Sequence, residues 1–365
     1  MRVIAYTDSA GIGGAEISLS HLVATASNEF EIIIVGVSQT VIDAIAARRP
    51  QAMKVILPAK GLSGLIAHLR TFYRLKPHVI HCNLCTPWAG AIALAAALWL
   101  PNVRIVRVDQ LPLRTTELLT LLRTRFLSLR LDAHVAVGEA SARRMEDFYA
   151  LGRDSVISIP NCIPDSEPVL EPPSSDQTIV VASVGRLDAM KAHDVLIRAI
   201  AQVQNVKAFI LGDGELRTYL EELAADLGVG DRICFYGWQN HPRTYLPNCD
   251  VFVMPSRSEG FPLAMVEAML AARPVIATRV GSMPEAVIAG KTGLLIDKND
   301  VEGLAQALQQ LRDDPVLRRQ LGQQAREMAV AHFTVEAMTT RYEQLWRSLI
   351  VRPAAPRWCV PRPKD

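Results

Sequence analysis

Short apolar runs alternate with longer amphipathic stretches along most of the chain. In the first half, the runs have the composition of buried strands, and the stretches between them have a helical composition. The predicted strands are residues 3–6, 31–37, 55–57, 79–81, 104–108 and 133–137, and the predicted helices are residues 15–26, 39–47, 62–75, 88–98 and 113–131. This alternation predicts a parallel sheet with helices on both faces.

The alternation restarts in the second half, after a stretch of different composition. Residues 164–175 hold four prolines and no periodicity, so we predict an interdomain linker at 166–177. The later strands are predicted at 178–185, 208–211, 233–236, 251–254, 275–278 and 293–296, and the later helices at 193–203, 216–227, 263–271, 283–288, 301–313, 315–331 and 335–350. We therefore expect an α/β protein with two Rossmann-like, doubly wound parallel-sheet domains, residues 1–165 and 178–334, facing each other across a cleft. The Pro-rich tail at 351–365 is predicted to be disordered.

The net charge and the cysteines give only weak indications of the protein's partners and cellular compartment. The net charge is +4 over residues 1–165 and −2 over the remainder. A basic first half suits an anionic acceptor or an anionic lipid surface, and scattered surface charge explains it equally well. Cys82 and Cys85 form a lone CxxC that favours reduced packing residues over zinc. With no leader pattern and no apolar run of spanning length, we expect a cytoplasmic protein, with the inner face of the membrane as an alternative.

Glu259 and Glu267 are the most informative pair of residues in the sequence. They flank the point where a loop leaves predicted strand 251–254 and enters predicted helix 263–271. Open α/β sheets bind ligands at the carboxyl ends of their strands, and the first amides of a helix can donate to a phosphate. Carboxylates accept hydrogen bonds from sugar hydroxyls, so the pair suits a nucleotide-sugar. Two glutamates eight residues apart also occur by chance, with the helical one solvated.

Other strand exits carry further candidate loops. Residues 11–16 (Gly-Ile-Gly-Gly-Ala-Glu) suit either an anion or a plain tight turn. Residues 183–191 bring Arg186 and Lys191 onto one loop, where two cations can hold a diphosphate without metal; a solvated basic loop is the alternative. Residues 212–216 fit helix capping better than ligand binding. Gly237 and Trp238 suit a nucleobase edge or core packing equally.

Taken in order, these motifs resemble those of glycosyltransferase family 4, a group of retaining group 1 glycosyltransferases. They are Gly-Gly-Ala-Glu at 13–16, Pro-Asn at 160–161, Gly-Arg-Leu-Asp…Lys at 185–191, Gly-Asp-Gly-Glu-Leu-Arg at 212–217, Phe-Tyr-Gly-Trp at 235–238, Pro-Ser…Ser-Glu-Gly-Phe-Pro…Glu-Ala-Met at 255–269, Pro-Val-Ile-Ala-Thr at 274–278 and Gly-Leu-Leu-Ile at 293–296. The resemblance covers about residues 1–350, densely in the second half and loosely in the first. It implies the GT-B fold, with the donor held mainly by the second domain and helix 335–350 packing back on the first.

The resemblance implies a role for each motif residue. Arg186 and Lys191 would neutralise the donor diphosphate as catalytic cations. Glu259 would contact the transferred sugar, and Glu267 would accept from the ribose hydroxyls. The remaining implied donor-site residues are Gly13, Gly14, Gly185, Gly237, Gly260, Phe261, Pro262 and Leu263. The implied enzyme is a retaining hexosyltransferase that needs neither metal nor cofactor beyond its nucleotide-sugar co-substrate, with a UDP-sugar favoured over GDP or ADP.

Two features of the first half bear on the acceptor. Members of the family commonly carry a His on the loop after the strand that is here 104–108, and Asp109 stands in that place. We expect Asp109 to bind an acceptor or donor hydroxyl instead. Residues 113–131 combine many leucines with Arg114, Arg123, Arg125 and Arg130. This composition fits a basic amphipathic helix at an anionic membrane, and a core-facing helix with solvated arginines is the commoner interpretation.

The leading hypothesis is transfer of a sugar from a nucleotide-sugar to a glycan or lipid-linked acceptor, in bacterial cell-surface polysaccharide or lipopolysaccharide synthesis. Nucleic acid is not an expected partner. An isomerase of the sugar-nucleotide 2-epimerase type shares the fold, but the combined Arg186, Lys191, Glu259 and Glu267 set disfavours it. A noncatalytic sugar-nucleotide-binding module is the third alternative, because the expected His is missing.

Overall fold

The computed structural model describes residues 1–165 and 178–352. The predicted linker, 166–177, and residues 353–365 of the predicted tail lie outside the described residues. The described chain divides into two compact units, one formed by Met1–Pro164 with the segment that starts at Val335, the other by the residues between Asp165 and Thr334. Each unit is built around its own parallel sheet.

The first unit holds a seven-stranded sheet in the order β3-β2-β1-β4-β5-β6-β7. All its strand pairs are parallel, and the order reverses between β1 and β4. The buried apolar side chains of its strands are mostly Ile, Val and Ala, as expected for strands covered on both faces. The strands are β1 Arg2–Thr7, β2 Glu31–Gly36, β3 Met53–Ile56, β4 Val79–Leu84, β5 Arg104–Asp109, β6 Ala133–Ala136 and β7 Val156–Ser158.

Six helices join these strands, and three of them differ from the prediction by more than one residue at an end. The helices are α1 Gly14–Thr25, α2 Gln39–Ala46, α3 Gly61–Leu75, α4 Ala91–Leu98, α5 Leu118–Ser128 and α6 Glu139–Tyr149. Helix α4 starts three residues later than predicted, because Gly90 adopts a left-handed conformation (φ +65°) that interrupts the helix. Helix α5 is shorter at both ends than the predicted 113–131, and α6 was not predicted.

The second unit holds a six-stranded parallel sheet in the order β10-β9-β8-β11-β12-β13. Its strands are β8 Ile179–Val184, β9 Val206–Leu211, β10 Ile233–Gly237, β11 Val251–Met254, β12 Val275–Thr278 and β13 Gly293–Ile296. Its helices are α7 His193–Gln202, α8 Arg217–Asp226, α9 Leu263–Leu270, α10 Met283–Ala286, α11 Val301–Asp313 and α12 Pro315–His332, with short 3-10 helices at Gly230–Arg232 and Pro242–Asn248. The order reverses between β8 and β11, so ligand-binding loops are expected after these two strands.

The last helix, α13 (Val335–Val351), packs against the first unit. Trp346 is 1% exposed, and its ring contacts the rings of Phe30 and His81. The Glu343 carboxylate accepts a hydrogen bond of 2.7 Å from the Ser27 amide. Val351, which we expected in the tail, is the last residue of this helix. No helix in the described part of the chain is both long and apolar enough to cross a membrane.

Candidate donor site

The basic loop after β8 is held in shape by its own side chains and by glycines of the loop after β9. Asp188 Oδ1 accepts from the amides of Met190 and Lys191, at 3.0 and 3.1 Å. The Asp188 carboxylate also pairs with the exposed Arg186, Nη2 to Oδ2 3.0 Å. A Cβ added to Gly212 would lie 1.9 Å from the Gly185 carbonyl oxygen. The glycine therefore serves the close approach of two backbones, which explains the 212–216 motif better than capping does.

Lys191 and Glu259 form an ion pair at the ends of β8 and β11. Lys191 Nζ lies 2.6 Å from Glu259 Oε1, and both side chains are largely shielded from solvent. The same oxygen accepts a hydrogen bond of 2.7 Å from Ser256 Oγ, which is buried. Thr278 Oγ1 in turn donates to the Ser256 carbonyl at 2.6 Å. The fold thus brings together two of the predicted site residues, 68 positions apart in the chain.

The backbone after Glu259 is shaped by a second loop, which follows β12. The Ser282 amide donates to the Gly260 carbonyl at 2.9 Å. Gly281 has φ +56°, and a Cβ there would lie 2.1 Å from the Glu259 carbonyl oxygen. A glycine is required for both reasons. The predicted motif at 259–263 therefore depends on a glycine that sequence analysis did not single out.

The other predicted residues of this motif form the entrance to α9. Pro262 is the extended N-cap residue and Leu263 begins the helix, so the first-turn amides start here. Phe261 is buried, and its ring centroid lies 5.0 Å from that of Phe333. Glu267 is one turn beyond Leu263 on the same face of the helix and is half-buried.

A buried histidine, His193, lies behind the basic loop. It is the first residue of α7, and its Nδ1 lies 3.3 Å from Ser183 Oγ. Burial, together with the positive charge of Lys191, lowers the pKa of His193 to about 4. The ring is therefore neutral at physiological pH and adds no cation to the loop.

Gly237 is the last residue of β10 and has φ +71°, a left-handed conformation that favours glycine. Its neighbours Tyr236 and Trp238 are both exposed. Trp238 is therefore not the core-packing residue of the alternative interpretation. Exposed rings on both sides of this turn suit stacking against a planar group.

In the first unit, the glycine loop opens α1. Gly13 is the N-cap and Gly14 the first helical residue. Glu16 is buried and caps the start of the helix, since its Oε2 accepts from the Gly13 amide at 3.0 Å. Burial raises the pKa of the Glu16 carboxyl. The loop is thus a capped helix start at the reversal of strand order, between β1 and β4.

The expectation that Asp109 acts at the site by binding an acceptor or donor hydroxyl does not fit the structure. Asp109 is the last residue of β5 and is fully buried. Its Oδ2 lies 3.0 Å from Arg107 Nε and also contacts His134 Nε2. Burial alone would raise the pKa of Asp109, but the Arg107 charge and the His134 contact outweigh burial and lower it. The carboxylate is therefore a structural anion inside the sheet and is closed to a sugar hydroxyl.

Arg257 is a further residue of the site region that sequence analysis missed. It lies between Ser256 and Glu259, and it contacts the basic loop and Asp194 of α7. A single arginine in a loop gives no local signal of such contacts, since Asp194 is 63 residues away.

The loop geometry above coincides with a family match. Residues 170–328 match the model of the family described as Glycosyl transferases group 1. The match includes Arg186, Lys191, Glu259 and Glu267.

Curated relatives align with this chain over a stretch similar in length to the family match. The lipopolysaccharide core biosynthesis glycosyltransferase LpsE of Rhizobium meliloti (strain 1021) is 40% identical over 169 residues, 46% of this chain and 50% of that protein. The D-inositol 3-phosphate glycosyltransferase of Mycolicibacterium smegmatis (strain ATCC 700084 / mc(2)155) is 36% identical over 197 residues, 50% of this chain and 44% of that protein. The chain spans about half the length of the curated relatives it matches.

Solved structures match over almost the whole chain. Anabaena Alr3699/HepE in complex with UDP has a TM-score of 0.83 at 20% identity, covering 95% of this chain and 100% of that one. A sucrose-phosphate synthase from Thermosynechococcus elongatus has a TM-score of 0.80 at 21% identity, covering 95% and 98%. The likeness confirms the predicted GT-B fold of two Rossmann-like domains.

Proposed function

We propose that this protein is a retaining glycosyltransferase of family 4 that transfers a sugar from a nucleotide-sugar to a glycan or lipid-linked acceptor. The observation that carries the proposal is the Lys191–Glu259 pair at the ends of β8 and β11, beside the start of α9. A cation, a carboxylate and free helix amides at one strand edge match the charges of a diphosphate and a sugar. The relatives named for lipopolysaccharide core synthesis support a role in bacterial cell-surface polysaccharide assembly.

In the proposed reaction, the charged groups act on the leaving nucleotide. Arg186 and Lys191 bind the diphosphate, whose negative charge grows as the bond from sugar to phosphate breaks. Cations and amides fixed in place before the reaction stabilise that charge without rearranging, which lowers the barrier. Glu259 binds the transferred sugar, and Glu267 binds the ribose hydroxyls. The leaving phosphate accepts the acceptor proton, so neither a protein nucleophile nor a metal is needed.

UDP is the favoured nucleotide of the donor. Two solved neighbours, complexes of Anabaena Alr3699/HepE, contain UDP and UDP-glucose. Their identity to this chain is 20%, so they support the choice of base by analogy alone. GDP and ADP remain the alternatives for the test.

A thermal-shift screen with UDP, GDP, ADP and their sugars tests the proposal, followed by product detection for each hit. A nucleotide that binds the folded protein raises its melting temperature by mass action. We expect the UDP shift to disappear in Glu267→Ala, and turnover to fall in Lys191→Ala. A shift without turnover or donor hydrolysis would favour the noncatalytic module, and no shift with any nucleotide would refute the donor site.

We also propose that α5 contacts an anionic membrane, which would bring the enzyme to a lipid-linked acceptor at the inner face of the cytoplasmic membrane. Leu118, Leu119, Leu122 and Phe126 lie on one face of the helix and are 45% to 76% exposed. The nearby basic residues are Arg114, Arg123, Arg125 and Arg130, of which Arg130 stacks on Phe126 at 3.5 Å. Apolar side chains flanked by arginines fit the interface of an anionic bilayer.

Vesicle sedimentation tests this contact. We expect the protein to sediment with phosphatidylglycerol vesicles and not with phosphatidylcholine vesicles, and Leu119→Glu to abolish binding. Leu62→Glu on α3 changes a leucine that is 73% exposed, against 76% for Leu119, and should leave binding intact. Equal loss in both variants, or no binding by the wild type, would refute the membrane contact.

A further inference from the structure

Arg257 makes a set of directed hydrogen bonds around the basic loop. Its Nη1 and Nη2 bind Asp194 Oδ1 and Oδ2 at 3.0 and 2.7 Å, the bidentate geometry of a strong Arg–carboxylate pair. Its Nε binds Asn299 Oδ1 at 2.6 Å. The side chain is thus fixed at all three guanidinium nitrogens.

The same residue also binds the backbone of the basic loop. Arg257 Nη1 donates to the Ala189 carbonyl at 2.8 Å, and the Arg257 amide donates to the Met190 carbonyl at 2.7 Å. These two acceptors directly precede Lys191, and Asp194 follows it by three residues. Arg257 therefore contacts the chain on both sides of Lys191.

Arg257 belongs to the segment that also supplies Glu259. It follows Ser256, whose hydroxyl binds the Glu259 carboxylate, and Glu259 is two residues further on. One residue thus ties the segment that carries the carboxylate to the segment that carries the cation.

We propose that Arg257 is a positioning residue that sets the separation of Lys191 Nζ and Glu259 in the donor site. This inference rests on the proposed function, because it assumes that both groups bind the donor. Arg257 acts through its contacts with Asp194 and the loop carbonyls, without touching the donor. A displacement of about 1 Å in a catalytic group can cost about 100-fold in rate.

A merely structural ion pair would behave differently. The loss of a partly exposed pair with only a structural role would lower the melting temperature slightly and leave donor kinetics unchanged. Positioning predicts a similarly small effect on melting temperature, but a large loss of turnover. Lysine keeps the charge of Arg257 but cannot make the bidentate contact with Asp194. Arg257→Lys therefore tests the contact geometry at constant charge.

The test compares Arg257→Lys, Asp194→Asn and the double variant. We expect each single change to lower kcat/KM for the UDP-sugar about 10- to 100-fold. The double variant should lose no more than one single variant, because both changes break the same contact. The matched control is Arg326→Lys in the same unit. It breaks the bidentate pair of Arg326 with Asp165, in which both hydrogen bonds are 3.0 Å long, and it should leave kcat/KM unchanged. If the fold losses in kcat/KM of the two single variants multiplied in the double variant, the inference would be overturned. An unchanged kcat/KM in Arg257→Lys would also overturn it.

A crystal structure of Arg257→Lys gives a readout that does not depend on activity. The separation of Lys191 Nζ and Glu259 Oε1, 2.6 Å in the wild type, should increase or become variable. An unchanged pair would overturn the positioning role even if the enzyme's substrate is never found. Failure of the wild type to bind or turn over any nucleotide-sugar would instead refute the proposed function, so the two failures are distinguishable.

Discussion

Lys191 Nζ and Glu259 Oε1 lie 2.6 Å apart, so the cation proposed for the diphosphate is paired with the carboxylate proposed for the sugar. A phosphate approaching Lys191 therefore competes with Glu259. The carboxylate does not depend on Lys191 alone, because Ser256 Oγ holds the same oxygen at 2.7 Å. Once a phosphate takes Lys191, Ser256 can keep Glu259 in place for the sugar hydroxyls.

Competition for Lys191 predicts an unusual effect of Glu259→Gln. Removing the negative charge frees Lys191, so UDP should bind about 2- to 5-fold more tightly, equivalent to about 0.4–1 kcal/mol. Turnover of the UDP-sugar should fall about tenfold or more, because a charged hydrogen bond to the sugar is lost. Calorimetric titration with UDP and steady-state kinetics measure the two effects.

The control for this prediction is Glu222→Gln, which removes an exposed carboxylate on α8 and should change neither quantity. Weaker binding of UDP by Glu259→Gln would show that the carboxylate assists the diphosphate site and does not compete with it.

Gly281 should be intolerant of any side chain. Its φ of +56° and the 2.1 Å approach of a Cβ to the Glu259 carbonyl oxygen both oppose Gly281→Ala. The control is Gly290→Ala, with φ +73° but no atom within 4 Å of its Cβ. Gly290→Ala should cost about 1 kcal/mol from backbone strain, and Gly281→Ala about 1–3 kcal/mol more from the clash.

Denaturant unfolding measures these free energies, and UDP titration shows whether the Glu259 loop has moved. Equal losses for the two glycines would mean that the loop after β12 yields to the added methyl group, contrary to the close contact in the structure.

Strand positions were predictable because buried parallel strands are nearly continuous apolar runs. The predicted bounds of β11, β12 and β13 agree with the structure residue for residue. Helix α6 was missed because five of its eleven residues are charged, and the apolar side chains it buries, Ala142, Met145 and Tyr149, form only a thin stripe.

The site was predictable in its residue types but not in their pairing. Motif spacing singled out Lys191 and Glu259, and it gave no sign that the two are joined across 68 residues. The position after predicted strand 104–108 suggested a functional Asp109, whereas its partners Arg107 and His134 make it part of the core. Long-range ion pairs of this kind leave no periodic trace in a single sequence, so only the fold reveals them.

His193 should make the protein less stable in acid. Burial, assisted by Lys191, holds its pKa at about 4 in the folded state, whereas an unfolded histidine titrates near 6.5. Between these values the unfolded chain binds the extra proton, so stability falls as pH decreases from about 6.5 to 4. His193 alone should contribute about 1.4 kcal/mol per pH unit within that window.

Unfolding of the wild type and His193→Gln between pH 4.5 and 7 measures this contribution. The variant should show a shallower dependence by about one proton, since the other buried histidines act equally in both proteins. His241→Gln, which changes an exposed histidine, should keep the wild-type slope. Identical slopes in all three proteins would mean that His193 is already protonated, or accessible to solvent, in the folded state.

Trp346 should be the residue of α13 on which the first unit depends most. It is 1% exposed, and its ring lies 5.1 Å from that of Phe30 and 5.7 Å from that of His81. Trp346→Ala should cost about 3–5 kcal/mol, because the ring leaves a cavity that the surrounding sheet and helix cannot close.

Trp99→Ala, the control, removes a ring that is 70% exposed and should cost less than about 1 kcal/mol. Denaturant unfolding followed by circular dichroism compares the two without relying on tryptophan fluorescence. If Trp346→Ala were no more destabilising than Trp99→Ala, α13 would not be part of the first unit's core, and its hydrogen bonds to Ser27 and Arg104 would be surface contacts only.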